Sequence, residues 1–251
     1  MRPSRFSFIA LMIISTMCVY AQDMQMYSIH EDRVYPSKVA EYEQAAKGLA
    51  AQLKKHNVKG ADYTALARND YRYIYITPIK NMAELDKNPF AKLEKEMSES
   101  AFGKMWAAFE GCYSEHGDYI LRLDAELSYQ PGGIDPNPEG LYYRNFDYWY
   151  CSEANEDDLV AVAKKIKAVN EKAGSEFYYR VYRGGFGTMG PVFMVVSAAK
   201  SPADWYAMAE ASGKKTEGKT QELIEEALKY TTKFENYTGV IRPDLGYKSN
   251  N

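Results

Sequence analysis

The segment YYRNFDYWY, Tyr142 to Tyr150, decides how this chain is read. Six of its nine side chains are aromatic. On a β-strand, successive side chains point to opposite faces. Tyr143, Asn145, Asp147 and Trp149 then face one way, and Tyr142, Arg144, Phe146, Tyr148 and Tyr150 the other. Rings on both faces need cover on both, which helices supply on one side and a second sheet on the other. Tyrosine suits such a strand because it buries a large ring and keeps a hydroxyl for a neighbour or a ligand.

Working outward, the segment opens the second of two similar halves. Met26 to Val34 reads as the matching strand of the first half. Pro36-Ser37 then opens a helix with apolar positions Val39, Tyr42, Ala46, Leu49 and Leu53. Leu159, Val162, Ile166, Val169 and Ala173 repeat that spacing, the stripe a helix lays on a sheet. Each helix is followed by two strand-like runs, Tyr63 to Arg68 with Tyr71 to Thr77, and Phe177 to Arg183 with Val192 to Ser197. The loop Gly184 to Pro191 leads into a strand, so its glycines read as turn residues and not as a phosphate cradle. Lys80-Asn81 and Lys200-Ser201 open further helical regions, with helix expected over 100–115 and 220–233. Glu126-Leu127-Ser128-Tyr129 and Asp244-Leu245-Gly246-Tyr247 close the halves. Residues 131–140, dense in Pro and Gly, read as the linker. The fold class is α+β. Two tandem ferredoxin-like (split βαβ) units are expected, one over residues 22–130 and one over 141–251.

Residues 1–21 carry Arg2 and Arg5, an apolar run and the small-residue ending Val19-Tyr20-Ala21, the pattern of a cleaved export signal. The expectation is a soluble periplasmic or secreted protein with no transmembrane segment after cleavage. Cleavage leaves 29 basic against 34 acidic residues, a balance that excludes a nucleic-acid partner. Whether Cys112 and Cys151 pair is not readable from the sequence.

The order of elements, with the repeated Lys80/Lys200, Leu127/Leu245 and Tyr129/Tyr247, resembles the dimeric α+β barrel superfamily, in particular its tandem NIPSNAP-like and antibiotic-biosynthesis-monooxygenase-like members. The resemblance implies that the two units join through their sheets as one barrel enclosing an inter-sheet pocket for a small aromatic or anionic molecule. It also implies two alternatives, a cofactor-independent monooxygenase or isomerase using His30 and a haem-handling barrel; export, the lack of a catalytic motif and the aromatic packing point to a third, a non-catalytic interaction protein of the envelope. No cofactor is required by the residues. A tandem barrel satisfies its own sheets, so a monomer is the default and a homodimer the alternative.

Polar residues among the strand aromatics mark the candidate site, because burying them costs unless they are partnered. His30 is the candidate acid or base. Asp32, Arg68, Tyr73, Tyr75, Tyr143, Asn145, Trp149, Tyr179 and Arg183 are the candidate ligand-binding set. With Tyr27 set against Tyr142, His30 matches Asn145 and Arg68 matches Arg183. His56 and His116 read as helix-end residues, His116 standing before Gly117 as a helix-stop signal, so only His30 and Asp32 share a face and no metal-ligand pattern emerges.

Overall fold

The structure is a computed structural model that describes residues 24–250; the expected export signal, residues 1–21, lies outside the described residues. The chain order is β1 (Met26–Val34), α1 (Val39–His56), β2 (Thr64–Arg68), β3 (Arg72–Ile79), α2 (Ala91–Glu96), α3 (Glu99–Ala107) and β4 (Tyr113–Tyr129). The second half follows with β5 (Tyr143–Tyr150), α4 (Glu156–Ala173), β6 (Tyr179–Gly184), β7 (Val192–Ala199), α5 (Pro202–Lys215), α6 (Lys219–Leu228) and β8 (Lys233–Ile241).

Local chemistry fixes the ends of these elements. Asn57 and Gly174 terminate α1 and α4 in the left-handed conformation. The Ser201 hydroxyl accepts from the Asp204 N–H at the start of α5, and Pro202 fills the first turn, where no N–H is needed.

The eight strands close into one antiparallel barrel in the order β1-β3-β2-β8-β5-β7-β6-β4. Each half contributes four consecutive strands, and the two seams are β2 with β8 and β4 with β6. Gly187, at φ +87°, lets the β6–β7 turn lie on β4; a Cβ there would stand 2.8 Å from the Asp118 carbonyl oxygen. Inside the barrel Tyr27, Ile29, Leu66, Phe146, Tyr182 and Met194 pack together. On its outside, each unit's helices cover an apolar layer, that of unit one around Tyr42 and Tyr73 and that of unit two around Leu159 and Phe193. The alternation expected of β5 is observed: Phe146 and Tyr148 belong to the interior and Trp149 to the helical layer. Cys112 and Cys151 are both free and buried. Among the described residues no helix is long and apolar enough to cross a membrane.

Two element boundaries correct the sequence reading. The helix expected over 100–115 stops at Ala107, and Tyr113 to Tyr129 is a strand paired along β1. His116-Gly117 is therefore part of β4 and no helix stop, because long-range pairing with β1 overrides the local Gly signal. Likewise α6 ends at Leu228 and Lys233 begins β8.

Candidate functional site

Register fixes how the units correspond. Asp32 lies between Tyr73 and His116, and Trp149 lies between Phe193 and Phe234. His30 lies between Tyr75 and Asp118, and Asp147 between Val195 and Asn236. His30 therefore corresponds to Asp147, and not to Asn145, while Asp32 corresponds to Trp149. Arg68 and Arg183 do not correspond either. The Arg68 guanidinium sits inside the barrel, 4.0 Å from the Tyr237 ring centre, whereas Arg183 reaches Glu156 on α4 in the helical layer. The Tyr27/Tyr142 match is off by two residues because it sets like side chains together, whereas the hydrogen-bonded register sets Asp32 against Trp149.

Of the residues expected to bind ligand between the sheets, Arg68 alone faces the interior, and it is already committed. Its Nε and Nη2 both donate to Asp70 at 2.7 Å. His30, Asp32, Tyr73, Tyr75, Asn145, Trp149, Tyr179 and Arg183 belong to the sheet–helix layers, divided between the two units. Tyr143 stands apart, in a surface depression with Pro202. The inter-sheet placement fails for them because a strand's parity, not its polarity, decides which face a side chain takes.

The inter-sheet cavity itself exists, with a volume of about 320 Å³, and its polar lining is different: Gln25, Asp62, Thr64, Asn137 and Lys248, with Arg144 and Arg180. Both are buried, at 2% and 4% exposure. Arg144 donates to the carbonyls of Leu141, Tyr143 and Pro136, and Arg180 to that of Asp135. The Arg180 Nε is buried without a partner. Burial, and then the charge of Arg180, pushes the Arg144 guanidinium down to about 10. Tyr27, Phe146 and Tyr182 supply the apolar wall. The signal was present in the sequence as two arginines inside apolar strands, but their parity had not been tied to a cavity.

A second cavity, of about 510 Å³, lies beneath the helices of unit one and is lined by Tyr42, Tyr75, Phe90, Trp106, His30 and Asp32. Asp32 is 5% exposed. Its Oδ2 accepts from the Tyr42 hydroxyl at 2.5 Å, and Tyr42 and Tyr75 hydroxyls are 2.9 Å apart. The His30 Nε2 stands 3.3 Å from Asp32 Oδ1, and its Nδ1 is 2.9 Å from Asp118 Oδ1. The Asp32 carboxylate pushes the His30 imidazole up to about 9, with Asp118 adding and burial opposing. With His116 brought into β4, ligand atoms of His30, Asp32 and His116 lie within 4.8 Å of one another. That strand places His116 beside His30 and Asp32, where the sequence reading set it at a helix end.

The layer of unit two holds a cavity of about 160 Å³ lined by Asp147, Trp149, Leu159, Tyr179 and Phe193. Burial raises Asp147, against hydrogen bonds from Asn236 and Asn145 that lower it. The lining does not fit a haem: among the described residues it carries no His, Cys or Met. In unit one Asp118 holds the His30 Nδ1, and the Asp32 carboxylate stands 3.3 Å from its Nε2, which leaves no room for a flat macrocycle against that nitrogen.

No family model and no curated protein matches the chain. Solved structures do. An anthrone oxidase-like protein matches with TM-score 0.58 at 10% identity, over 88% of this chain and 92% of that one. This barrel is the dimeric α+β barrel fold. A candidate monooxygenase from Lactobacillus acidophilus NCFM matches this dimeric α+β barrel at TM-score 0.53 and 10% identity, covering 91% and 100% of the two chains. A variant chlorite dismutase from Candidatus Nitrospira defluvii matches it at 0.50 and 10%, covering 87% and 92%. At such identity the likeness carries the fold and no activity.

Proposed function

We propose that this dimeric α+β barrel is an exported protein that binds a small anionic, partly aromatic molecule between its sheets. The observation that carries the reading is the pair of buried guanidiniums, Arg144 and Arg180, facing the inter-sheet cavity with backbone carbonyls as partners and one Nε unpartnered. Buried charge is costly unless it is paired. A carboxylate in the cavity would accept from the free Nε and offset both charges, while Tyr27, Phe146 and Tyr182 would stack against its body. Export rests on the amino-terminal pattern of the sequence.

A base role for His30 is opposed by its own surroundings: flanked by Asp32 and Asp118, it holds its proton at neutral pH. Binding is therefore the activity proposed for the barrel, with no chemical step.

The test is thermal unfolding with benzoate, salicylate, glucuronate and inorganic phosphate, on the wild type and Arg180→Gln. A ligand at 100 times its Kd stabilises by about 2.7 kcal/mol. A rise in Tm with an aromatic carboxylate that disappears in the variant supports the reading. Equal shifts in both proteins, or none in either, overturn it.

A further inference from the structure

We propose that His30, His116 and Asp32 bind a divalent transition-metal ion at the mouth of the unit-one cavity. The site is separate from the inter-sheet anion cavity, and either proposal can fail without the other.

Three strand positions converge to make it. His30 and Asp32 are two apart on β1 and share a face, and His116 is the cross-strand partner of Asp32 on β4. One ligand atom from each lies within 4.8 Å of the other two. The His30 Nε2 and Asp32 Oδ1 are 3.3 Å apart. That is close to the roughly 3.4 Å edge of a tetrahedron whose centre is about 2.1 Å from nitrogen and oxygen ligands. His116 is exposed, and its ring, stacked on Tyr113, stands edge-on to the His30 ring with 5.9 Å between their centres.

The independent observation is Asp32 itself. Its Oδ2 is fixed by Tyr42, while its Oδ1 is buried and accepts no hydrogen bond. A buried carboxylate oxygen without a well-aligned donor is costly, and this one meets the His30 Nε2 at 3.3 Å, off hydrogen-bond geometry. An ion there would satisfy it and replace the proton on that nitrogen. Outside the set, Asp118 holds the Nδ1 of His30 at 2.9 Å. This leaves Nε2 for the metal, the arrangement in which an outer carboxylate orients a ligating imidazole.

Two imidazoles and one carboxylate select zinc, iron(II), cobalt(II) or manganese(II) over calcium and magnesium. Three protein ligands leave coordination positions open. His30 and Asp32 both line the aromatic cavity, so a molecule held in it could complete the coordination. Unit two gives an internal contrast: the corresponding positions hold Asp147, Trp149 and Phe234, which supply one ligand atom.

The experiment uses protein purified without a histidine tag and stripped with chelator, titrated with cobalt(II) alone and followed by visible absorption. Equilibrium dialysis against zinc(II) gives the stoichiometry. One ion per chain is expected. His116→Phe, which places the unit-two residue in unit one, should weaken binding at least 10-fold while leaving Tm nearly unchanged, since His116 is exposed. Asp118→Asn should weaken it about 10- to 100-fold. His56→Gln, at the third histidine of the chain and remote from the cluster, should leave it intact. No stoichiometric uptake, or uptake that His116→Phe does not change, overturns the proposal and leaves an ordinary ion pair between His30 and Asp32.

Discussion

Unit one and unit two build the same layer, a helix across four strands, and fill it differently. Under α1 the matched positions read Tyr42, Asp32, Tyr75 and His116, a hydrogen-bonded polar cluster beside a cavity of about 510 Å³. Under α4 they read Leu159, Trp149, Val195 and Phe234, with Trp149 and Phe234 rings 4.7 Å apart and a cavity of about 160 Å³. Strand order and the register of these positions are shared; the side chains differ, and so do the covering helices, short α2 and α3 against longer α5 and α6. Closing a layer takes only apolar volume. Keeping it open takes a network that satisfies the polar groups it buries, and around this cavity unit one supplies that network except at Asp32 Oδ1 and the Tyr63 hydroxyl.

The largest expected effect tests the packed side. Phe193→Ala should lower unfolding stability by about 3–5 kcal/mol in a denaturant titration, because Phe193 is 4% exposed and its loss leaves a cavity. A loss under 1 kcal/mol would mean that unit two is loosely packed and the contrast is false. Next comes a matched pair. Tyr42→Phe strips the donor from a buried carboxylate and should cost about 1–3 kcal/mol. Its counterpart Leu159→Met conserves volume and should cost less than about 1.5 kcal/mol. Equal costs would mean that the hydroxyl of Tyr42 does nothing for Asp32.

The smallest effect tests where the units are alike. Lys47 pairs with Asp244 at 3.2 Å, as Lys164 pairs with Glu126 at 3.3 Å, each helix reaching the other unit's final segment. Asp244 differs in also meeting Arg242, whose guanidinium holds its carboxyl down to about 2. A depressed carboxyl stabilises above its unfolded value and loses that contribution as pH falls through the folded one. Asp244→Asn should therefore cost about 0.2–1 kcal/mol near pH 7, solvent screening included. The difference should vanish below pH 2. Glu126→Gln, without the arginine, should stay within about 0.5 kcal/mol. Thermal unfolding of both variants across pH 2–7 checks the pair.

Much of the architecture was legible in the sequence because duplication and 2- and 3.6-residue periodicities survive any detail of packing. The alternation in β5 was readable residue by residue. The site was less so. Tyr113 to Asp118 carries polar residues on both faces, and a helix stop was read at Gly117; only pairing with β1 makes it a strand and sets His116 against Asp32. Arg144 and Arg180 were visible as arginines in apolar strands, but that both enter the same cavity depends on a register no local pattern fixes. The two-residue slip that matched His30 with Asn145 has the same origin: similar residues align by likeness, strands by hydrogen bonds.

The seams β2–β8 and β4–β6 lie within one chain, and this has a consequence for inheritance. In a symmetric dimer made from one short chain, each substitution appears twice, so a histidine that serves one copy also burdens the other. Joined in a single polypeptide, the halves are separate stretches of coding sequence. Asp32 and Trp149 can then be chosen independently, and one half can spend packing on an open cavity while the other retains it.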